Sequence, residues 1–70
     1  MSENNLKNTI KIQRAIKNLT QEQLAELVSV TRKTINTIEN GKFVPSTVLA
    51  LKLAKVLEVN VEELFILVEE

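Results

Sequence analysis

At 70 residues, 44% hydrophobic and 26% charged, the chain has room for one small core and no second, and it is too apolar for a disordered segment. Cysteine and histidine are both absent, which excludes disulfides and the thiolate and imidazole ligands of zinc sites, and removes the commonest general base near neutral pH. The net charge is zero but uneven: seven Lys/Arg face four Asp/Glu from Met1 to Lys42, and two face five from Phe43 to Glu70, so a basic part can meet phosphates while an acidic end turns away.

Strand signals are absent, with few aromatics and no sustained apolar/polar alternation. Helix signals recur instead. The first helix is expected from about Leu6 to Lys17, with Leu6, Ile10, Gln13 and Ile16 near one face and Asn18-Leu19 closing it. Thr20 reads as an N-cap, and Gln23 three residues on completes a capping box. The second helix then carries Leu24, Ala25, Leu27 and Val28 for little more than two turns, before Ser29-Val30.

Thr31 reads as the cap of a third helix that runs through Ile35 and Ile38 to about Glu39. Asn40-Gly41 is its stop signal, since both residues tolerate the left-handed conformation. Ser46 caps a fourth helix, Thr47 to Leu57. Asn60, with Glu63 three residues later, caps a fifth that starts at Val61 and leads into the apolar tail Phe65-Ile66-Leu67-Val68. The pattern leaves the tail itself open between helix and strand. The expected fold is all-α, a compact five-helix orthogonal bundle in a single domain spanning 1–70, with its core at about 6–65.

About three residues separate the second and third helices, too few for antiparallel packing, so the two must cross steeply. Ala25 supplies the small residue that such a crossing needs. Val30, Ile35 and Ile38 face inward, which turns Arg32, Lys33, Asn36 and Thr37 outward. A helix of this kind fits a major groove: Arg and Lys donate to guanine, Asn pairs with adenine, and threonine methyls touch thymine.

The segment LTQEQLAELVSVTRKTINTIENGKFVPS (Leu19–Ser46) resembles the helix-turn-helix of the Cro/C1 lambdoid-repressor family, also called the Xre family. The likeness extends from about Lys7 to Phe65 and includes LALKLAKVLEVNVEELF. It implies a lambda-repressor-like DNA-binding domain and a transcriptional regulator that binds double-stranded DNA, without cofactor, metal or enzymatic activity. By resemblance, Gln21 bonds a phosphate, and Asn40, the Gly41 amide and Lys42 form a second phosphate clamp. Arg32, Lys33 and Thr37 match base-reading positions, with Thr31, Thr34 and Asn36 as secondary contacts. Ser29, Asn18 and Glu58 stand where the family often has glycine, and Phe43-Val44 replaces a loop that often holds further basic residues.

Arg14 lies one turn after Ile10, and Glu39 lies next to Ile38. Each charge would be costly to desolvate alone, so the two are expected to bond; the resemblance implies the same bridge.

The fourth helix, TVLALKLAKVL, is apolar nearly all round, which implies burial nearly all round. Ile12, Ile16 and the tail add further apolar surface. The surplus points to a homodimer interface made of Phe65, Ile66, Leu67 and Val68, with Ile12 and Ile16 as further candidates. The alternative is that the tail folds back over Ile12 and Ile16 within one chain.

No apolar run approaches the roughly 20 residues that a bilayer requires, and Met1 to Asn5 is polar, unlike a signal peptide. A cytoplasmic protein with no membrane partner is expected. The rival reading is a protein-interaction module on the same fold, such as an antitoxin or an assembly adaptor; a regulatory protein partner is compatible with either.

Overall fold

The computed structural model describes residues 5–68; Met1–Asn4 and the closing pair Glu69–Glu70 lie outside the described residues. In chain order the elements are β1 (Leu6–Asn8), α1 (Ile10–Ile16), α2 (Gln21–Leu27), α3 (Arg32–Glu39), α4 (Thr47–Leu57), α5 (Val61–Leu64) and β2 (Phe65–Leu67). The five helices surround one core of Ile10, Leu24, Ala25, Val28, Ile35, Ile38, Leu53, Ala54, Leu57 and Leu64. Every element except the two strands contributes to it.

The helix starts follow from local chemistry. Thr20 Oγ1 accepts from the Gln23 amide at 3.0 Å, and Gln23 Oε1 accepts from the Thr20 amide at 2.9 Å, which closes the capping box. Thr31 and Ser46 accept from the amides of Thr34 and Leu49, and Glu63 reaches back to the Asn60 amide at 3.0 Å. Each such cap is worth about 1 kcal/mol, because it satisfies an amide that the helix leaves without a partner.

The ends of α1, α2, α3 and α4 share one geometry. Asn18, Ser29, Gly41 and Glu58 are all left-handed, with φ of 58°, 63°, 74° and 61°. After each, the next amide reaches five residues back along the chain: Leu19 to the Arg14 carbonyl, Val30 to Ala25, Lys42 to Thr37 and Val59 to Ala54, all at 2.9–3.0 Å. These are Schellman closures, and three of the four use a residue other than glycine where glycine is favoured. The residue making the long bond is apolar and packs on the core at Leu19, Val30 and Val59. At α3 it is the exposed Lys42. Glu58 also meets Lys17, which holds its carboxyl below the usual carboxylate range, through the hydrogen bond first and the charge second.

The ends of the chain depart from the sequence-based expectation. The first helix begins at Ile10 rather than Leu6, and the fifth stops at Leu64. Leu6–Asn8 and Phe65–Leu67 instead form a two-stranded antiparallel sheet, with Leu6 opposite Leu67, Lys7 opposite Ile66 and Asn8 opposite Phe65. Strands three residues long carry no alternation to detect, and here their pairing is anchored by neighbours. The Thr9 amide donates to the Leu64 carbonyl at 2.9 Å and the Val68 amide to Asn5 at 2.6 Å. Thr9 Oγ1 donates to the Glu63 carbonyl at 2.9 Å.

Asn8 joins three elements. Its Oδ1 accepts from the Ile10 amide at the start of α1, and its Nδ2 donates to the Ile38 carbonyl in α3 at 2.9 Å. The sequence gives no hint of this role.

Burial also corrects two expectations. Ile16 is 66% exposed and does not share the inward face of α1. The apolar circumference of α4 is not buried all round either: Leu53, Ala54 and Leu57 enter the core, while Val48 and Leu51 are more than half exposed. Phe65 packs on the chain's own core, whereas Ile66 and Leu67 face outward. Among the described residues, no helix is long and apolar enough to cross a membrane.

Candidate nucleic-acid interface

Helix α3 is held by Ile35 and Ile38, both buried, at the i, i+3 spacing that puts two side chains on one face. Its other face is polar. Arg32, Lys33 and Asn36 are exposed, and Thr34 and Thr37 are half-buried beside them. α2 braces it from behind: Leu24, Ala25 and Val28 are buried, and the Val30 amide caps the Ala25 carbonyl at 3.0 Å.

One carboxylate organises the junction of α1, α2 and α3. Glu39 takes Arg14 Nε on Oε2 at 2.7 Å and Nη2 on Oε1 at 3.2 Å, a bidentate pair with side-chain exposures of 6% and 14%. Arg14 spends Nη1 on the Leu19 carbonyl at 3.0 Å. Oε1 of Glu39 also accepts from Gln21 Nε2 at 3.0 Å, and Gln21 Nε2 donates again to Asn36 Oδ1 at 3.2 Å. A carboxylate offers only acceptors, so Gln21 must turn its amino group inward, and Asn36 must then turn its carbonyl towards Gln21. The Asn36 amino group is left pointing away, a donor on the outer face of α3.

This geometry bears on the residues singled out from the sequence. Gln21 lies beside Asn36 and Glu39, with its donor side committed to the protein; holding a phosphate by Nε2 requires it to release one of those partners. The Gly41 amide donates to the Ile38 carbonyl at 3.0 Å and the Lys42 amide to Thr37. Closing the helix thus engages the Gly41 amide, the donor expected to take part in the phosphate clamp. Asn40 and Lys42 are exposed on either side of it. Thr31 is the N-cap of α3, and its hydroxyl lies 3.0 Å from that of Thr34.

A feature that sequence reasoning missed is a hollow of about 350 Å³ beside α3, lined by Lys33, Thr34, Thr37, Lys42 and Phe43. Phe43 stands directly after the Gly41-Lys42 turn, and its adjacency to Lys42 was the only available signal. Among the described residues no cluster of carboxylates could hold a metal ion.

The comparisons with known proteins agree with this geometry. The helix-turn-helix family model matches residues 10–64, from the start of α1 to the end of α5. An HTH-type transcriptional regulator of Methanocaldococcus jannaschii is 51% identical over 61 residues, covering 87% of this chain and 92% of the relative. The HTH-type transcriptional regulator YgzD of Bacillus subtilis is 46% identical over 65 residues, covering 93% and 98%. Among solved structures, the restriction-modification controller protein C.AhdI from Aeromonas hydrophila superimposes with a TM-score of 0.72 at 35% identity, over 77% of this chain and 82% of that one. The chain belongs to the Cro/C1-type helix-turn-helix family of DNA-binding transcriptional regulators.

Proposed function

We propose that the protein reads a specific operator in the major groove through α3, as a homodimer on an inverted repeat, and that it represses by excluding polymerase from the promoter. The observation that carries this reading is the two-sidedness of α3. Ile35 and Ile38 fix its inner face, while Arg32, Lys33 and the outward amino group of Asn36 present donors along the outer one. Donors in that arrangement match the acceptor-rich edge of guanine. Lys42 and Asn40 at the end of α3 supply phosphate contacts that fix register and orientation.

Dimerisation is supported by apolar surface that stands exposed among the described residues. An apolar cleft of about 240 Å³ lies among Leu6, Val44, Pro45, Ala50, Leu51, Val61 and Phe65. Exposed Val48 and Leu51 belong to the helix that lines it, and Leu67 pairs with Leu6 at its edge. The interface is accordingly the tail, through Ile66, Leu67 and Val68 over Phe65, together with the outer face of α4. Ile12 and Ile16 do not line this cleft.

Selection of bound duplexes from random DNA tests the reading. The selected sites should contain inverted half-sites centred about 10 base pairs apart, the separation of successive major grooves on one face of a duplex. Enrichment of no sequence over the starting pool would reject sequence-specific reading and favour a protein-interaction module.

A further inference from the structure

The hollow between α3 and the following loop has an unusual lining for a surface of this charge. Thr37 Oγ1 lies within hydrogen-bond reach of the Thr34 carbonyl at 2.9 Å and the Lys33 carbonyl at 3.1 Å, so its proton is committed to the backbone of its own helix. The Thr34 hydroxyl is paired with that of Thr31. Both hydroxyls are thus already engaged within α3 and its cap, and Thr34 and Thr37 line the hollow together with Phe43. Phe43, about half exposed, adds an apolar ring to the same wall. The ammonium groups of Lys33 and Lys42 are carried by the exposed residues at the rim.

A small apolar floor bounded by two cations suits a ligand that is apolar at one point and surrounded by anions. An apolar peptide would leave the two lysines unmatched, and a free anion would leave the floor wet. In duplex DNA the group with both properties is the 5-methyl of a pyrimidine, which projects into the major groove beside the phosphate backbone.

We propose that Thr34, Thr37 and Phe43 form a receptor for a thymine 5-methyl group, with Lys33 and Lys42 placed against the base edges and phosphates around it. The proposal rests on the reading that α3 enters the major groove, and it adds a specificity-determining residue, Phe43, that lies outside the helix.

The test uses the full chain and a duplex selected from random DNA, in which each thymine is replaced in turn by uracil, a change that removes only the methyl. One position per half-site should lose about fourfold in affinity, the worth of one buried methyl group. The loss should vanish in Phe43→Ser and persist in Phe43→Leu, with the salt dependence of binding the same in both. If no thymine-to-uracil change matters, or if the penalty survives intact in Phe43→Ser, the receptor is refuted. The α3 reading would still stand in that case, provided Arg32→Ala relaxes selectivity. If instead Arg32→Ala and Lys33→Ala leave sequence preference unchanged, the α3 reading fails and the receptor fails with it.

Discussion

Arg14 and Gln21 meet the same Glu39 carboxylate, Arg14 from α1 and Gln21 from the first turn of α2. The charge that locks the first helix to the third therefore also orients the amide that touches Asn36 on the outer face of α3. Stability and the orientation of an outward donor on α3 depend on one side chain.

Removing that side chain should destabilise the fold strongly. Glu39→Ala leaves a largely desolvated Arg14 without its counter-charge, a loss of about 2–4 kcal/mol for a pair that is mostly but not fully buried. The double variant Arg14→Met, Glu39→Leu replaces the pair with apolar volume and should recover most of the loss in denaturant melts. A Glu39→Ala protein melting within a degree or two of the parent would show that the pair contributes little.

The left-handed closures predict a gain rather than a loss. At Ser29 an L-residue occupies a conformation that costs about 1–2 kcal/mol, and glycine avoids it at some expense in chain entropy. Ser29→Gly should stabilise by about 1 kcal/mol. Glu58→Gly should gain less, since it also gives up the contact with Lys17. Gly41→Ala should lose about 1 kcal/mol for conformational reasons alone, because nothing lies within 4 Å of where its Cβ would stand. Thermal melts of the three variants rank these effects.

Contacts with bases and contacts with phosphates should separate in binding isotherms. Arg32→Ala and Lys33→Ala should each cost about 1–3 kcal/mol on the selected operator and relax preference at one or two positions. Lys42→Ala should weaken specific and scrambled duplexes nearly equally and flatten the salt slope by about one unit. Isotherms on both duplexes at several salt concentrations make the distinction. An Lys42→Ala variant that changes sequence preference would place Lys42 among the base readers.

The dimer surface can be tested without cutting into the core. Leu51 and Leu67 are 54% and 74% exposed, so Leu51→Glu and Leu67→Glu should leave the helical signal intact and shift sedimentation from dimer to monomer. Operator affinity should fall with dimerisation. Parent protein that sediments as a monomer at tens of micromolar would remove the premise.

What the sequence determined by itself was local. The caps at Thr20, Thr31 and Ser46 depend on side chains reaching amides three residues away, and the bounds of α4 follow from Ser46 and the apolar run behind it. The inward positions of α3 follow from helical spacing. Tertiary structure decided the rest. Leu6–Asn8 is a strand only because Phe65–Leu67 lies beside it, a pairing between opposite ends of the chain that no local window contains. Asn8 acquires its role from the Ile38 carbonyl, thirty residues distant. The apolar pattern of α4 could say that the helix avoids water but not whether its own core or another surface would cover it, and Leu53 and Leu51 show the two outcomes on one helix. Gln21, Asn36 and Glu39 stand on two helices, so the direction in which each amide points was fixed only when the crossing of α2 and α3 brought them within reach of one carboxylate.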